Sequence, residues 1–214
     1  MEKELERSKK QLHLSMACVG GCFGAYSLLE FSHFASAVTV NFIEVFTGMA
    51  QGNWQKSLLR LGAVAVYFLT LFLAFWLPVK RKRDLRPWAI LLDAVSAVLL
   101  GLIPKSIGEL GVYLCVFAMG FQWAVFAGKQ GYPCSTIFST NNLRQFVDAW
   151  VQVRWNGDDT QAPRMRIYGA TLLTFHTGVI LVCLLWRWAG RWSILVSLLP
   201  LLPALTALRK ETQC

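Results

Sequence analysis

The stretch FASAVTVNFIEVFTGMAQ, residues 34–51, decides how this chain is threaded. It is apolar enough to enter a bilayer, yet it carries Asn41, Glu44, Gly48 and Gln51. A complete crossing here would put the next basic loop on the wrong side. That loop is Lys80-Arg81-Lys82-Arg83-Asp84-Leu85-Arg86, with five basic residues in seven. Lys and Arg collect on the cytoplasmic side of membrane chains. The N-terminus carries Lys3, Arg7, Lys9 and Lys10 and belongs on the same side. An even number of crossings must separate the two. Spans at 14–32 and 57–79 supply them. Residues 34–51 therefore read as a re-entrant or broken helix that enters from the outer side and returns.

The bulk composition supports a membrane chain. Of 214 residues, 55% are hydrophobic and only 15% are charged, and those charges are clustered. Crossing about 30 Å of hydrocarbon takes roughly 20 apolar residues. The stretches 14–32, 57–79, 87–103, 110–128, 167–186 and 192–208 approach that length. The third and sixth are short, which a packed bundle tolerates. The expected fold is a single all-α transmembrane domain over residues 1–214. A net charge of +9 would suit nucleic acid, but the basic residues sit at span ends, where they set orientation; no nucleic-acid partner is expected. Cys18, Cys22, Cys115, Cys134, Cys183 and Cys214 form no CxxC pair. Most lie inside spans, where a thiol packs as a small hydrophobe, so neither a metal nor a cofactor is expected. Met1 to Lys10 alternates Glu with Lys and Arg and reads as a cytoplasmic helical lead-in. No small-residue cleavage site follows a clean apolar core, so no signal peptide is assigned.

The second half threads in the same way. Span 87–103 goes out, Lys105 to Glu109 forms the outer turn, and 110–128 returns. Residues 129–165 read as cytoplasmic, with Asp148 and the run Asn156-Gly157-Asp158-Asp159 as solvated loop. The last two spans make a hairpin around Arg187 and Arg191, within a belt of Trp186, Trp188 and Trp192. Arg209 and Lys210 end inside, so both termini are cytoplasmic.

A sparse pattern also occurs twice. Gly20 matches Gly120, and Thr39-Val40-Asn41 matches Thr140-Asn141-Asn142. Gly62-Ala63 with Phe68 matches Gly169-Ala170 with Phe175, and Trp88-Ala89 matches Trp188-Ala189. Chance likeness between apolar helices is the competing explanation. A duplication gives one repeat over about 14–103 and another over about 110–208. Three spans per half is an odd number, so the halves must be inverted relative to each other, as in many secondary transporters. The six transmembrane helices would then form two inverted three-helix repeats, each with a re-entrant or broken segment. Thr39–Asn41 would enter from outside and Thr140–Asn142 from inside. Unwound backbone survives at membrane depth only against protein or a wet cavity. Half-helix N-termini there carry partial positive charge.

These residues resemble the YoaK-like family of bacterial integral membrane proteins, a domain of unknown function. The likeness rests on Gly20-Gly21 with Ala25, on Thr39 and Asn41, on Gly52 with Trp54, on Met119-Gly120 with Gln122, and on Thr136, Thr140 and Leu143. It spans most of the chain. The chain departs at Gly24, where the family pattern has an acid, at Val40 and Asn141, where it has glycine, and at Trp123, where it has asparagine. A proton-coupling or substrate role for that acid does not carry over. The resemblance implies a multi-pass protein of the bacterial plasma (inner) membrane and supplies no substrate.

Ionisable groups at membrane depth are costly and invite functional hypotheses. Glu30 and His33, three apart, would share a helical face as a proton-sensitive pair or sit solvated at the outer interface. Glu-x-x-His is also half of a di-metal site, but no second copy exists here. Ser36 or Thr39 would cap a helix in 34–51, with Asn41 and Glu44 on one face. Asp93 lies inside its span and either lines a path or pairs with the basic loop. Gln122 beside Gly120 suits an interhelical hydrogen bond or a solute contact. His176 reads as a packing residue, and Asn141 and Asn142 as caps or ligand amides. The leading expectation is a small-solute secondary transporter, alone or as a homodimer. Its candidate solute-binding residues are Thr39, Asn41, Gln122, Thr140 and Asn142; its candidate proton-coupling residues are Glu30, His33, Glu44 and Asp93. The alternative is a non-transporting membrane scaffold, sensor or assembly factor. No HExxH, Gly-x-Ser-x-Gly or phosphate-loop pattern occurs, so an enzyme is not expected.

Overall fold

A computed structural model describes residues 2–81, 83–104, 110–126 and 133–213. Lys82, the outer turn at Lys105 to Glu109, the last two residues of the 110–128 stretch, Lys129 and Cys214 lie outside the described residues. Within them the chain is helical: α1 (Glu2–Phe31), α2 (Val38–Ala50), α3 (Trp54–Arg81), α4 (Arg86–Leu102), α5 (Gly111–Phe126), α6 (Thr140–Trp155), α7 (Ala162–Ala189) and α8 (Leu198–Gln213). A 3₁₀ turn, Asp159–Gln161, precedes α7, and a 3₁₀ stretch, Gly190–Ser197, joins α7 to α8.

Three stretches are long and apolar enough to cross a membrane: Glu2–Phe31, Trp54–Lys80 and the run Asp159–Gln213. Helices α4 and α5 have only 17 and 16 residues, or roughly 25 Å at 1.5 Å per residue. Large apolar side chains face outward all round: Phe68, Phe72, Val79, Leu173, Leu184 and Trp188 are strongly exposed. Such a surface is stable in contact with hydrocarbon rather than water.

The run Asn156-Gly157-Asp158-Asp159 is the largely exposed connection that the sequence suggested. The residues before it, 140–155, instead form a helix, α6, whose N-terminal turn follows the break at 133–139. Asp148 sits in that helix and pairs with Arg164 at 2.9 Å. The expectation missed α6 because Arg144, Asp148 and Arg154 interrupt any long apolar run.

The helix contacts fall into two similar sets. Helix α1 packs against α7 and α8, while α5 packs against α3 and α4. Each short helix, α2 or α6, packs on the long helix that follows it. The directions can be read from side chains. His13 meets Thr171, and Gly178 meets Cys18 and Cys22, so α1 and α7 run parallel. Leu59 meets Tyr113, and Gly120 meets Tyr67 and Thr70, so α3 and α5 also run parallel. Gln122 reaches Met16, while Phe31 packs at Gly111, so α1 and α5 are antiparallel.

Two ties mark the ends of the bundle. Arg86 at the start of α4 binds Glu211 near the end of α8. At the other end, Arg191 donates to the Ile103 carbonyl. Tyr26 near the end of α1 donates to the Leu100 carbonyl at 3.2 Å, which places the C-terminal end of α1 beside Ile103. The start of α1 therefore lies at the same end as Arg86, Arg209 and Lys210.

Candidate functional site

The first break is built by the end of α1. His33 N–H donates to the Ser27 carbonyl at 3.2 Å and Ser32 N–H to Leu28 at 3.0 Å. The Ser32–Leu28 bond is the αL form of helix stop, and the His33 bond reaches one residue further back. Ser32 takes the left-handed residue's place, with φ 50, where glycine is usual. The Ser27 hydroxyl then accepts the Ala35 N–H at 3.3 Å. Residues 32–37 are held in this way until α2 begins at Val38. No side chain caps that start, so Ser36 and Thr39 are not the caps the sequence suggested. The first-turn N–H groups of α2 are left without intrahelical acceptors.

The second break is held more tightly. Asn142 accepts from Ser135 N–H at 3.0 Å and donates to the Ser135 and Phe138 carbonyls at 2.7 and 2.9 Å. Gln122 donates to Thr136 Oγ1 and to the Met16 carbonyl, both at 2.9 Å. Gly20 lets this loop approach α1, because a Cβ there would overlap the Thr136 carbonyl. Helix α6 then begins at Thr140, again without a side-chain cap.

The two starts converge. A cavity of about 940 Å³ is lined by Ser36, Thr39, Thr140, Asn141 and Arg144, with Tyr67, Phe68, Trp123 and Phe138 on its apolar wall. Thr39 and Thr140 thus line one cavity. Asn41, Asn142 and Gln122 do not line it. Asn142 and Gln122 are consumed by the 133–139 loop, and Asn41 is buried elsewhere. Asn141 is exposed and takes the lining place expected of Asn142, because one residue along a helix turns the side chain by about 100°.

Buried polar groups differ between the halves. Asn142 is saturated with partners, while both amide atoms of Asn41 have none. Ser36 Oγ and both ring nitrogens of His33 are also buried without hydrogen-bond partners. Unpaired buried groups of this kind cost about 1–3 kcal/mol each.

The expected Glu30–His33 pair does not form. α1 ends at Phe31, so the two residues do not share a helical face. His33 instead faces Glu44, with Nδ1 and Oε2 3.9 Å apart. Glu44 also meets Arg60 at 2.5 Å and Lys56 at 3.6 Å. His33 lies in the loop outside the long helices. Burial, with the Arg60 and Lys56 cations behind it, pushes its imidazole from 6.5 down to about 3. The ring is neutral here, so Glu44 pairs with Arg60 and Lys56 rather than with histidine.

Asp93 is 0% exposed, and neither carboxyl oxygen has a hydrogen-bond partner. It shares a face of α4 with Ser96, and that helix packs on the 3₁₀ stretch bearing Ser193 and Ser197. All three serines are buried with unpartnered hydroxyls. Asp93 therefore neither snorkels to the headgroups nor pairs with the basic loop. His176 lies exposed on the bundle surface, its Nδ1 against the Leu172 carbonyl at 2.8 Å, and is not a packing residue.

One buried group escaped the sequence reading. His13 binds Thr171 Oγ1 at 3.1 Å, and Cys134 donates to the same oxygen at 3.2 Å. His13 fell beside the charged lead-in, although Leu12 and Met16 flank it on a buried face. Among the described residues, no group of three or more His, Cys, Asp or Glu side chains could hold a metal ion.

No curated protein and no solved structure matches this chain. A family model described as "Protein of unknown function (DUF1275)" matches residues 12–208, which include both breaks and every helix that carries the cavity. The chain belongs to this uncharacterised membrane-protein family, DUF1275, which is the YoaK-like family.

Proposed function

We propose that this chain is a small-solute secondary transporter of the plasma membrane, with its solute held between the first turns of α2 and α6. The observation that carries this reading is the meeting of two uncapped helix starts at one cavity. Broken helices that converge on a mid-membrane site are a recurrent transporter design.

The packing supports six spans arranged as two inverted halves. Equivalent helices α1 and α5 run oppositely, while the cross pairs α1–α7 and α3–α5 run together. The bundle end with the start of α1, Arg86, Arg209 and Lys210 would face the cytoplasm. The outer end would then carry Arg191 and the Glu44 cluster. Saturated bonding around Asn142 makes the second break the fixed wall. Unpartnered groups at Ser36 and Asn41 make the first break the part that rearranges. Asp93 is the best-placed proton-coupling carboxyl, since partnerless ionisable groups within spans mark ion paths.

The test is transport in proteoliposomes carrying a pH-sensitive dye, challenged with a panel of sugars, amino acids and organic acids. The double substitution Thr39→Val, Thr140→Val removes two hydroxyl contacts, about 2 kcal/mol together or a roughly 30-fold loss of affinity. Flux should collapse while the protein stays monodisperse. Undiminished flux would remove this site. Absence of flux from the unaltered protein across the whole panel would favour the scaffold reading.

A further inference from the structure

We infer that the cavity takes an organic anion: a carboxylate or similar single-headed acid on an aromatic or aliphatic body. This rests on the cavity being the solute site proposed above. Two independent sources of positive potential meet there. The first turns of α2 and α6 both line the cavity, and neither N-terminus is capped by a side chain. Uncapped helix starts present free N–H donors and the positive end of the helix dipole. Arg144, one turn into α6, lines the same space. Among the described residues Arg144 forms no ion pair, and the cavity lining contains no carboxylate.

A further donor is already in place. Ser36 lines the cavity, is 0% exposed, and its hydroxyl has no partner. The remaining wall is aromatic and aliphatic, with Trp123, Phe138, Tyr67 and Phe68 foremost. A small inorganic anion would leave that wall uncovered. A sugar would face it with hydroxyls that have nothing to pair with. An acid with an apolar body satisfies both parts, with its head on the helix starts and guanidinium and its body on the rings.

The experiment compares 1-naphthoate with its neutral isostere 1-naphthamide, by equilibrium dialysis against the full chain in phosphatidylcholine nanodiscs, with empty nanodiscs subtracted. The acid should bind at least tenfold tighter than the amide. Arg144→Gln should reduce that preference to near unity, and Arg144→Lys should retain part of it. Arg154→Gln, at the far end of the same helix, should leave it unchanged. Equal binding of acid and amide, or an undiminished preference in Arg144→Gln, would overturn the inference. Added phosphatidylglycerol separates two sources of the same chemistry. Competition with naphthoate assigns the site to a lipid headgroup; no competition assigns it to a free acid. Selective binding without flux would count against transport and leave this inference standing. Flux of neutral solutes without anion preference would do the reverse.

Discussion

Gly178→Val and Gly21→Val should each leave little folded protein. At this crossing α1 and α7 touch backbone to backbone. A Cβ at Gly21 would overlap the Phe175 carbonyl, and one at Gly178 would overlap the Cys18 carbonyl. Neither obstacle is a side chain that can rotate away. The helices would have to part along their whole seam, which runs from His13 against Thr171 to Cys22 against Gly178. Without a solvent-driven force between spans, close approach of small residues is what holds such a pair together. The expected cost exceeds about 4 kcal/mol, in the range reserved for severe core damage. Size-exclusion of detergent-solubilised protein should show aggregate for both variants. Gly24→Ala is the control. Its nearest obstacle is the Phe34 ring, 3.1 Å from the built Cβ, and a ring can shift. That variant should stay monodisperse with a small change in melting temperature.

Glu44→Gln should be strongly destabilising for an electrostatic rather than a steric reason. Arg60 is 4% exposed and lies against Glu44, with Lys56 close behind. Glu44 is partly exposed but Arg60 is buried, so removing the carboxylate leaves a buried cation short of its counter-charge and costs up to about 3 kcal/mol. For a chain of this size that corresponds to a fall of about 10 °C in melting temperature. The double variant Glu44→Gln, Arg60→Met removes both charges and should recover most of the loss, because an apolar replacement of a buried pair is often close to neutral. Arg60 also donates to the Ser32 carbonyl at 3.4 Å, and a double variant no more stable than the single would show that such bonds, rather than the ion pair, hold this corner together.

Much of this architecture can be read from local pattern. The helices follow apolar length and charge breaks. Thr39 and Thr140 are found through their likeness, and each does sit at a helix start on one cavity. Gln122 beside Gly120 reads as an interhelical bond, and it forms one to Met16. The contacts that escape depend on where a helix stops. Glu30 and His33 look paired only if α1 continues to His33; the left-handed stop at Ser32 redirects the imidazole to Glu44, eleven residues on. A one-residue difference in facing separates Asn141 from Asn142, which no periodicity in a three-residue motif can resolve. His176 sits centrally in an apolar run, yet its position on α7 turns it outward, because α1 covers Gly178 and Phe175 instead. The His13–Thr171–Cys134 contact joins three distant segments, and nothing local announces it.

Inverted halves require α2 and α6 to enter from opposite faces of the membrane. Single cysteines at Thr47→Cys and Thr160→Cys, both exposed positions, test this in a background cleared of native thiols. An impermeant maleimide applied to intact cells should label Thr47→Cys at once and Thr160→Cys only after permeabilisation. Labelling of both from the same side would contradict inverted halves and remove the basis for a shared cavity between them.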